Sequence, residues 1–277
     1  MNSHHHHIYI LSFLALLIIG CVQERPKEEK QKAPKEVAKV IPVGIQKLMK
    51  AYPDFIVGGT DDSILWYDGN TMLYDDKNSS KSFDALLNEP DLQDHFVFVY
   101  PKAELKNPPG RNQDAGRIRY EPFFKKMYGD NPKAVQANFT TVIWLPSTLN
   151  KKIGVSKING VAEQMQKVSN ELDGKPHLHK YLENIGGVFN WRKIAGTERL
   201  SAHSFGITID LNPKFAHYWK WTSKNVKESD VIAYQNQIPH EIVAIFEKYG
   251  FIWGGKWYHF DTMHFEYRPE LLVDLEE

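Results

Sequence analysis

A histidine and an aspartate in the stretch SAHSFGITID have a spacing that suits two ligands on one metal ion. His203 offers an imidazole and Asp210 a carboxylate, and Gly206 predicts a turn between them. If the chain turns there and then runs extended, the two isoleucines of the stretch point into a core and Asp210 points to the other side. The carboxylate then returns beneath the imidazole, and a third ligand must come from elsewhere in the chain.

A second stretch, WGGKWYHFDTMHFEY, places three polar groups in an otherwise apolar run, and one of them is the candidate third ligand, His264. Asp261 precedes it by three residues, and a carboxylate at that spacing is a known catalytic arrangement around zinc, in which it takes a proton from water. Positions three apart on an ideal strand face opposite sides, so the two residues share a site only if the chain bends between them. Trp257 and Phe260 are the predicted walls of a pocket.

Together the two stretches resemble the D-alanyl-D-alanine carboxypeptidase-like family of zinc peptidases, which includes vancomycin-resistance carboxypeptidases and phage endolysins that cut cell-wall peptides. The family pattern is Ser-x-His-x-x-Gly-x-x-x-Asp followed by Asp or Glu-x-x-His. This chain matches the pattern in order at Ser201, His203, Gly206, Asp210, Asp261 and His264. The resemblance covers roughly Gly116 to Leu272.

The resemblance implies one zinc ion per chain, held by His203, Asp210 and His264 with water in the fourth position, which is the plan of an open catalytic site. Zinc would lower the pKa of that water to about 7 and polarise the scissile carbonyl. Asp261 is then expected to accept the proton and deliver it to the leaving amine. The implied substrates are peptidoglycan stem peptides. Removal of a terminal D-alanine is the favoured reaction, and endopeptidase cleavage of an L-alanyl-D-glutamate bond or a crosslink is the alternative.

Several further residues are candidates for supporting roles. Arg192 falls where the family places an arginine shortly before the first motif, and it is expected to bind the substrate carboxylate or to stabilise the oxyanion, with a surface arginine as the alternative. Ser201 either hydrogen-bonds within the site or forms a turn. Glu266 either orients the ring of His264 or replaces Asp261 as the base.

A second functional class stays open at this point. The superfamily contains hedgehog-type signalling domains whose zinc site is not clearly used for catalysis, so the fold alone does not decide between an enzyme and a non-catalytic protein that binds cell-wall peptides. The presence of every metal ligand and of the candidate base favours the enzyme.

Composition excludes other classes. The chain has 277 residues and no net formal charge, so nucleic acid is not an expected partner. Its only cysteine, Cys21, excludes a Cys-rich structural zinc site. The many aromatic residues indicate a packed core, with a groove for a polar polymer as the second interpretation. The oligomeric state is not indicated.

The N-terminal sequence predicts that the protein is located outside the cytoplasm. The apolar run from Ile8 to Gly20 is shorter than the roughly 20 residues that span a bilayer, and its length is typical of a signal peptide. It ends in LIIGC, which resembles the lipobox of bacterial lipoproteins, so Cys21 is the predicted site of lipid attachment. His4 to His7 stand where basic residues are usual and are either native or an affinity tag.

The sequence therefore predicts four segments: a signal peptide at 1–21, a disordered tether at 22–40, a small α+β region of unknown role at 41–110 and a catalytic domain at 111–277. The predicted fold is α+β, with a small antiparallel sheet and flanking helices around the zinc site. We expect a protein lipid-anchored to a membrane of the bacterial cell envelope, facing the periplasm or the exterior. A simple membrane-anchored or secreted form is the alternative.

Local patterns predict the main elements. An Asp68-Gly69 turn separates alternating apolar residues, as in a hairpin, and VQANFTTVIWLP predicts a buried strand. Helices are predicted in IQKLMKAY, YEPFFKKMYG, LHKYLENIGG, from Gly160 to Leu172, and from Pro239 to Gly250.

Overall fold

The protein is described from a computed structural model that covers residues 40–222 and 224–275. The predicted signal peptide, Cys21 and nearly all of the predicted tether lie outside the described residues. Among the helices in the described ranges, none combines the length and the apolar character needed to cross a membrane.

The fold mixes short helices with three small antiparallel sheets, as the sequence predicts. The α-helices are α1 (Val43–Ala51), α2 (Phe83–Asn88), α3 (Glu121–Tyr128), α4 (Pro132–Gln136), α5 (Val161–Asp173), α6 (His179–Leu182) and α7 (His240–Lys248). The strands are β1 (Ile56–Gly59), β2 (Ser63–Trp66), β3 (Thr71–Leu73), β4 (Phe139–Trp144), β5 (Lys151–Ser156), β6 (Thr208–Asp210), β7 (Phe251–Trp253) and β8 (His264–Tyr267). Their orders are β1-β2-β3, β4-β5 and β6-β8-β7.

The first sheet contains the predicted hairpin. β2 and β3 pair antiparallel, and the chain reverses between them at Asp68 and Gly69. Gly69 has a φ of 82°, which a residue without a Cβ adopts at little cost. The Asp68 carboxylate accepts a hydrogen bond from the backbone N–H of Asn70 at 3.0 Å, so the turn is also closed by its own side chain.

The second sheet is a β4-β5 hairpin covered by α5. The apolar stripe predicted for this helix is confirmed, because Val161, Met165, Val168 and Leu172 are all buried. β4 is less buried than the sequence predicts: its two threonines are exposed while Val142 and Trp144 face the core. The strand alternates because only one face of this hairpin is covered.

The third sheet positions the two motifs. β8 is its central strand, with β6 and β7 antiparallel on either side, and Asp210 lies directly opposite His264 in the register. Beneath it, the ring of Phe265 stacks on Phe246 of α7 with centroids 3.9 Å apart. Burying such a side chain contributes about 1.5–3 kcal/mol. The predicted helix after Pro239 is confirmed, and Gly250 follows it with a φ of 90°.

One predicted helix is much shorter in the structure. LHKYLENIGG forms only the single turn α6, which ends at Leu182 rather than at the glycine pair. Asn184 has a φ of 53°, so the backbone leaves the right-handed helical region before the glycines are reached.

The region before residue 110 shares the main core with the rest of the chain. Tyr52, just after α1, packs edge-on against Phe123 of α3 with ring centroids 5.7 Å apart. Its hydroxyl also donates a hydrogen bond of 2.5 Å to the buried carboxylate of Glu270. Helix α1 is therefore fixed to the end of the chain just after the site strand β8.

Candidate active site

The first motif folds as a tight turn that leads into β6. Ala202–Phe205 form one turn of 3₁₀-helix, and Gly206 follows in the left-handed region with a φ of 66°. A Cβ on Gly206 would lie 2.4 Å from the ring of Phe139, so the turn predicted there also requires glycine for space. Ile207 and Ile209 are fully buried, as predicted, and the chain returns so that Asp210 faces His203.

The structure brings the three predicted ligands together. Nε2 of His203 lies 3.2 Å from a carboxylate oxygen of Asp210 and 3.2 Å from Nδ1 of His264. Nδ1 of His264 lies 3.0 Å from the other oxygen of Asp210. Both imidazoles are 6% exposed, and Asp210 is partly open to a cleft. The three donor atoms therefore converge on one point that substrate can reach.

Each imidazole has a hydrogen-bond acceptor behind it. Nδ1 of His203 faces the backbone oxygen of Val188 at 2.9 Å and the Thr208 hydroxyl at 2.8 Å. Nε2 of His264 faces the Glu266 carboxylate at 3.4 Å. Because these rear nitrogens must carry the protons, the two nitrogens that face each other carry lone pairs in the neutral rings.

This donor set fits zinc. Two imidazole nitrogens and one carboxylate oxygen that converge on one point are a set of ligands that zinc favours. The Asp210 and Glu266 carboxylates raise the pKa of His264 to about 10 even though burial acts in the opposite direction. Burial likewise opposes ionisation of Asp210, but His203 and His264 hold the pKa of Asp210 well below its ordinary value. The site thus attracts positive charge strongly.

Glu266 is held rigidly behind His264. Arg119 donates to both of its oxygens, at 2.7 Å from Nη2 and 3.0 Å from Nε, and Arg268 donates from the other side at 3.2 Å. Burial would favour the protonated acid, but these guanidiniums hold the pKa of Glu266 well below its usual range. A fully buried carboxylate held by two guanidiniums is suited to orient the histidine ring, and Glu266 is not among the residues that line the cleft.

Asp261 reaches the cleft because the chain bends. Thr262 and Met263 form a turn, and the N–H of His264 donates to the backbone oxygen of Asp261 at 3.2 Å. Its Oδ1 is buried without a hydrogen-bond partner among the described residues. Burial and the charge of Asp210 raise the pKa of Asp261 to about 7. A free carboxyl oxygen with a pKa near neutrality is suited to accept and return a proton.

The cleft over these residues has a volume of about 320 Å³. Arg192, Ser201 and Trp257 all line it. Arg192 is exposed, while the Trp257 ring packs 5.7 Å from that of His264 and its Nε1 donates to the backbone oxygen of Ala115 at 2.6 Å. Phe260, the other predicted wall, does not line the cleft, because it is buried in a small core with Trp219 and packs edge-on against Tyr234 with ring centroids 5.2 Å apart.

His259, whose role the sequence leaves open, belongs to a buried polar network. Its Nδ1 lies 2.6 Å from the Asp114 carboxylate and its Nε2 lies 2.9 Å from the backbone oxygen of Glu228. Both ring nitrogens are therefore engaged away from the metal ligands. Asp114 comes from the Pro- and Gly-rich loop before α3, which this contact fixes against the site.

A second group of acidic residues, Asp75, Asp76 and Asp91, also has closely spaced oxygens. The ammonium group of Lys81 lies 2.8 Å from Asp76 and 3.3 Å from Asp91. A lysine therefore already provides a counter-charge to two of these three carboxylates.

Reasoning from motifs missed the residues that support the ligands. Arg119 and Arg268 stand far from each other in the chain and carry no recognisable pattern. Thr208 lies two residues before Asp210 on β6, and the alternation of that strand is the signal that could have located it on the same face. The arginine Arg199, between Arg192 and the first motif, was also missed.

The fold brings together three side chains, His203, Asp210 and His264, that could hold one metal ion, and the Asp261 carboxylate lines the same cleft. Residues 195–267 match the family model described as D-alanyl-D-alanine carboxypeptidase. The match includes both motifs and is narrower than the resemblance predicted from the sequence, so this segment is similar to the D-alanyl-D-alanine carboxypeptidase family. No curated protein and no solved structure gave a significant match.

Proposed function

We propose that this protein is a zinc-dependent peptidase that hydrolyses peptidoglycan stem peptides by removing a terminal D-alanine. The proposal is carried by the convergence of the His203 and His264 lone pairs with the Asp210 carboxylate at one point of the cleft. The family match supports a peptidase of the D-alanyl-D-alanine carboxypeptidase type for the segment that contains all three residues.

In this proposal, zinc and the neighbouring side chains have different roles in hydrolysis. The chemistry that zinc supplies at such a site is Lewis acidity, which polarises a carbonyl and brings the pKa of water near 7. Asp261, which lines the cleft, takes the proton of the attacking water and passes it to the leaving amine. Arg192, exposed on the cleft wall, is free to approach the developing oxyanion.

Mass spectrometry of products from purified muropeptides tests this function. The zinc-loaded protein is expected to release a single terminal D-alanine, whereas fragments cut at L-alanyl-D-glutamate or at a crosslink would replace the carboxypeptidase with an endopeptidase. Asp261→Asn is expected to retain zinc and lose at least about 100-fold in turnover, and His203→Ala to lose both zinc and activity. His177→Ala, at an exposed histidine paired with Glu241, is the matched control and should behave as the wild type.

Two results would contradict the proposal. An Asp261→Asn protein with normal turnover would remove the role given to that carboxylate. A zinc-loaded wild-type protein that binds muropeptides without releasing any fragment would indicate the non-catalytic peptide-binding protein instead.

We also propose that the protein is lipid-anchored through Cys21 in the bacterial cell envelope, facing the periplasm or exterior. The support is the LIIGC sequence at the end of the apolar run and the charged, Pro-containing segment 22–40 that follows it. Cys21→Ser should move the protein from the membrane fraction to the soluble fraction. An unchanged distribution would contradict lipid attachment at this residue.

A further inference from the structure

Arginine side chains dominate one wall of the cleft beside the metal ligands. Those that line it are Arg117, Arg119, Arg192 and Arg199. Arg117 is neutralised, because Nη2 lies 2.7 Å from Glu228 and Nη1 lies 3.0 Å from Asp114. Arg119 is neutralised by Glu266. The charges of these two guanidiniums are thus compensated by carboxylates of the protein itself.

Arg199 differs from them. It is half-buried, its Nε is buried without a hydrogen-bond partner, and it forms no ion pair within residues 40–222 and 224–275. Its backbone is held in place, since its oxygen accepts from Ile194 N–H at 2.8 Å and the next N–H donates to the Glu121 carboxylate at 2.6 Å. The chain therefore fixes an uncompensated guanidinium at the wall of the cleft.

Keeping this cation in place costs free energy. Burial, followed by the positive charges of Arg117 and Arg119, lowers the pKa of Arg199 to about 10, and Glu228 and Asp84 oppose the shift only in part. Arg199 consequently remains charged at neutral pH. A partly desolvated charge without a partner is unfavourable, and an anion that enters the cleft would relieve that cost.

We propose that Arg199 binds a carboxylate of the substrate in the cleft that it lines together with the candidate metal ligands. The inference rests on the proposed peptidase function and narrows its substrates to anionic peptides. A guanidinium fork matches a carboxylate in shape and charge. The carboxylate comes either from the free C-terminus of the peptide or from an acidic residue within it. Arg192, exposed on the same wall, then serves the reacting carbonyl.

Calorimetric titration of the zinc-loaded Asp261→Asn protein separates these sources without turnover. The probes are L-Ala-γ-D-Glu-L-Lys-D-Ala-D-Ala, the same peptide with a C-terminal amide, and the same peptide with the glutamate carboxylate amidated. One amidated peptide is expected to bind roughly 10- to 100-fold more weakly than the parent. In the double variant with Arg199→Gln, the parent and the amidated peptide should differ in affinity by less than about threefold. With Arg199→Lys the difference should be intermediate, because the positive charge remains without the two-pronged guanidinium group.

The pattern of losses identifies the carboxylate. If only the peptide with the C-terminal amide loses affinity, Arg199 binds the free C-terminus. If only the peptide with the amidated glutamate loses affinity, Arg199 binds the internal acid. Arg111→Gln, at an exposed arginine, should leave both ratios unchanged. If the Arg199→Gln protein has a normal zinc content and still distinguishes the parent peptide from the amidated peptide as strongly as before, Arg199 does not bind the carboxylate. If no muropeptide is ever cleaved by the wild type, the peptidase proposal fails, while the binding ratios still decide the role of Arg199.

Discussion

Asp210 and His264 occupy directly opposite positions of the antiparallel β6–β8 pair, and Oδ1 of the first lies 3.0 Å from Nδ1 of the second. A one-residue slip of this register would turn one of them to the other face of the sheet. The geometry of two candidate metal ligands is therefore set by backbone pairing, which in turn depends on the core beneath the sheet.

Asp210→Asn should abolish tight zinc binding while leaving the fold intact. The amide is nearly isosteric but lacks the negative charge that balances the cation. Removing a group behind a ligand typically costs 10- to 100-fold in metal affinity, so we expect the loss of a ligand charge to exceed about 100-fold. Competition with a chromogenic chelator measures the affinity. Asp230→Asn, at an exposed aspartate, should match the wild type, and an unaffected Asp210→Asn would exclude this residue as a ligand.

Glu266→Gln should weaken both zinc binding and the fold. The amide cannot hold the ring of His264 as the carboxylate does, and it leaves Arg119 and Arg268 without their shared counter-charge. We expect a 10- to 100-fold loss of zinc affinity and a decrease of about 3–5 kcal/mol in the free energy of unfolding. Chelator competition and urea denaturation report the two effects.

Glu228→Gln is the control for that experiment. Glu228 pairs with Arg117 at the same cleft but does not lie behind a ligand. It should lower stability without changing zinc affinity. Equal losses of zinc affinity in the two variants would show that Glu266 acts through general stability alone.

Gly206→Ala should destabilise the turn that carries His203. The left-handed conformation costs about 1–2 kcal/mol for a residue with a Cβ, and the Phe139 ring at 2.4 Å adds roughly 1–3 kcal/mol of overpacking. Gly196 is a matched control, with a φ of 81° and no atom within 4 Å of the point that a Cβ would occupy. Urea denaturation should show a larger loss for Gly206→Ala. Equal losses would mean that Phe139 moves aside freely.

His95 should make the protein sensitive to mild acid. Burial and the neighbouring charges of Arg268 and Arg119 hold the pKa of His95 well below its usual value, although Glu266 opposes them. Its Nε2 accepts a hydrogen bond of 2.7 Å from the Tyr120 N–H, which also requires the neutral ring. The unfolded chain binds a proton below about pH 6.5 while the folded chain does not, so stability falls by about 1.4 kcal/mol per pH unit as the pH decreases.

His95→Gln removes this proton uptake and keeps an acceptor near Nε2. The free energy of unfolding, plotted against pH, should run parallel for variant and wild type above pH 7. Between pH 6.5 and pH 5 it should fall more steeply for the wild type, because only its unfolded chain takes up a proton at residue 95. Parallel curves over the whole range would show that His95 titrates in the folded protein.

The convergence of His203, Asp210 and His264 could be predicted from the sequence because these residues lie in two short motifs whose spacing indicates a turn and a strand. His203 and Asp210 follow from the period of β6, and Asp261 and His264 follow once a bend is allowed. Arg119, Arg199 and His95 could not be predicted in this way. They reach the site through packing of α3, the 193–200 segment and the region before residue 110, which no local pattern describes.

The sequence indicates no role for residues 41–110, but their buried contacts connect them to the candidate site. Tyr52 binds Glu270, Glu270 accepts from Arg268, and Arg268 contacts Glu266 behind the ligand His264. This chain of buried contacts joins two distant parts of the sequence, so it could not be found from either part alone.

Anomalous X-ray diffraction at the zinc absorption edge, on crystals of the zinc-loaded protein, tests the central claim most directly. We expect one strong peak about 2.0–2.2 Å from Nε2 of His203, Nδ1 of His264 and a carboxylate oxygen of Asp210, with Asp261 outside the ligand set. Zinc bound elsewhere with these three residues uncoordinated, or a fourth bond to Asp261 that closes the site, would contradict it.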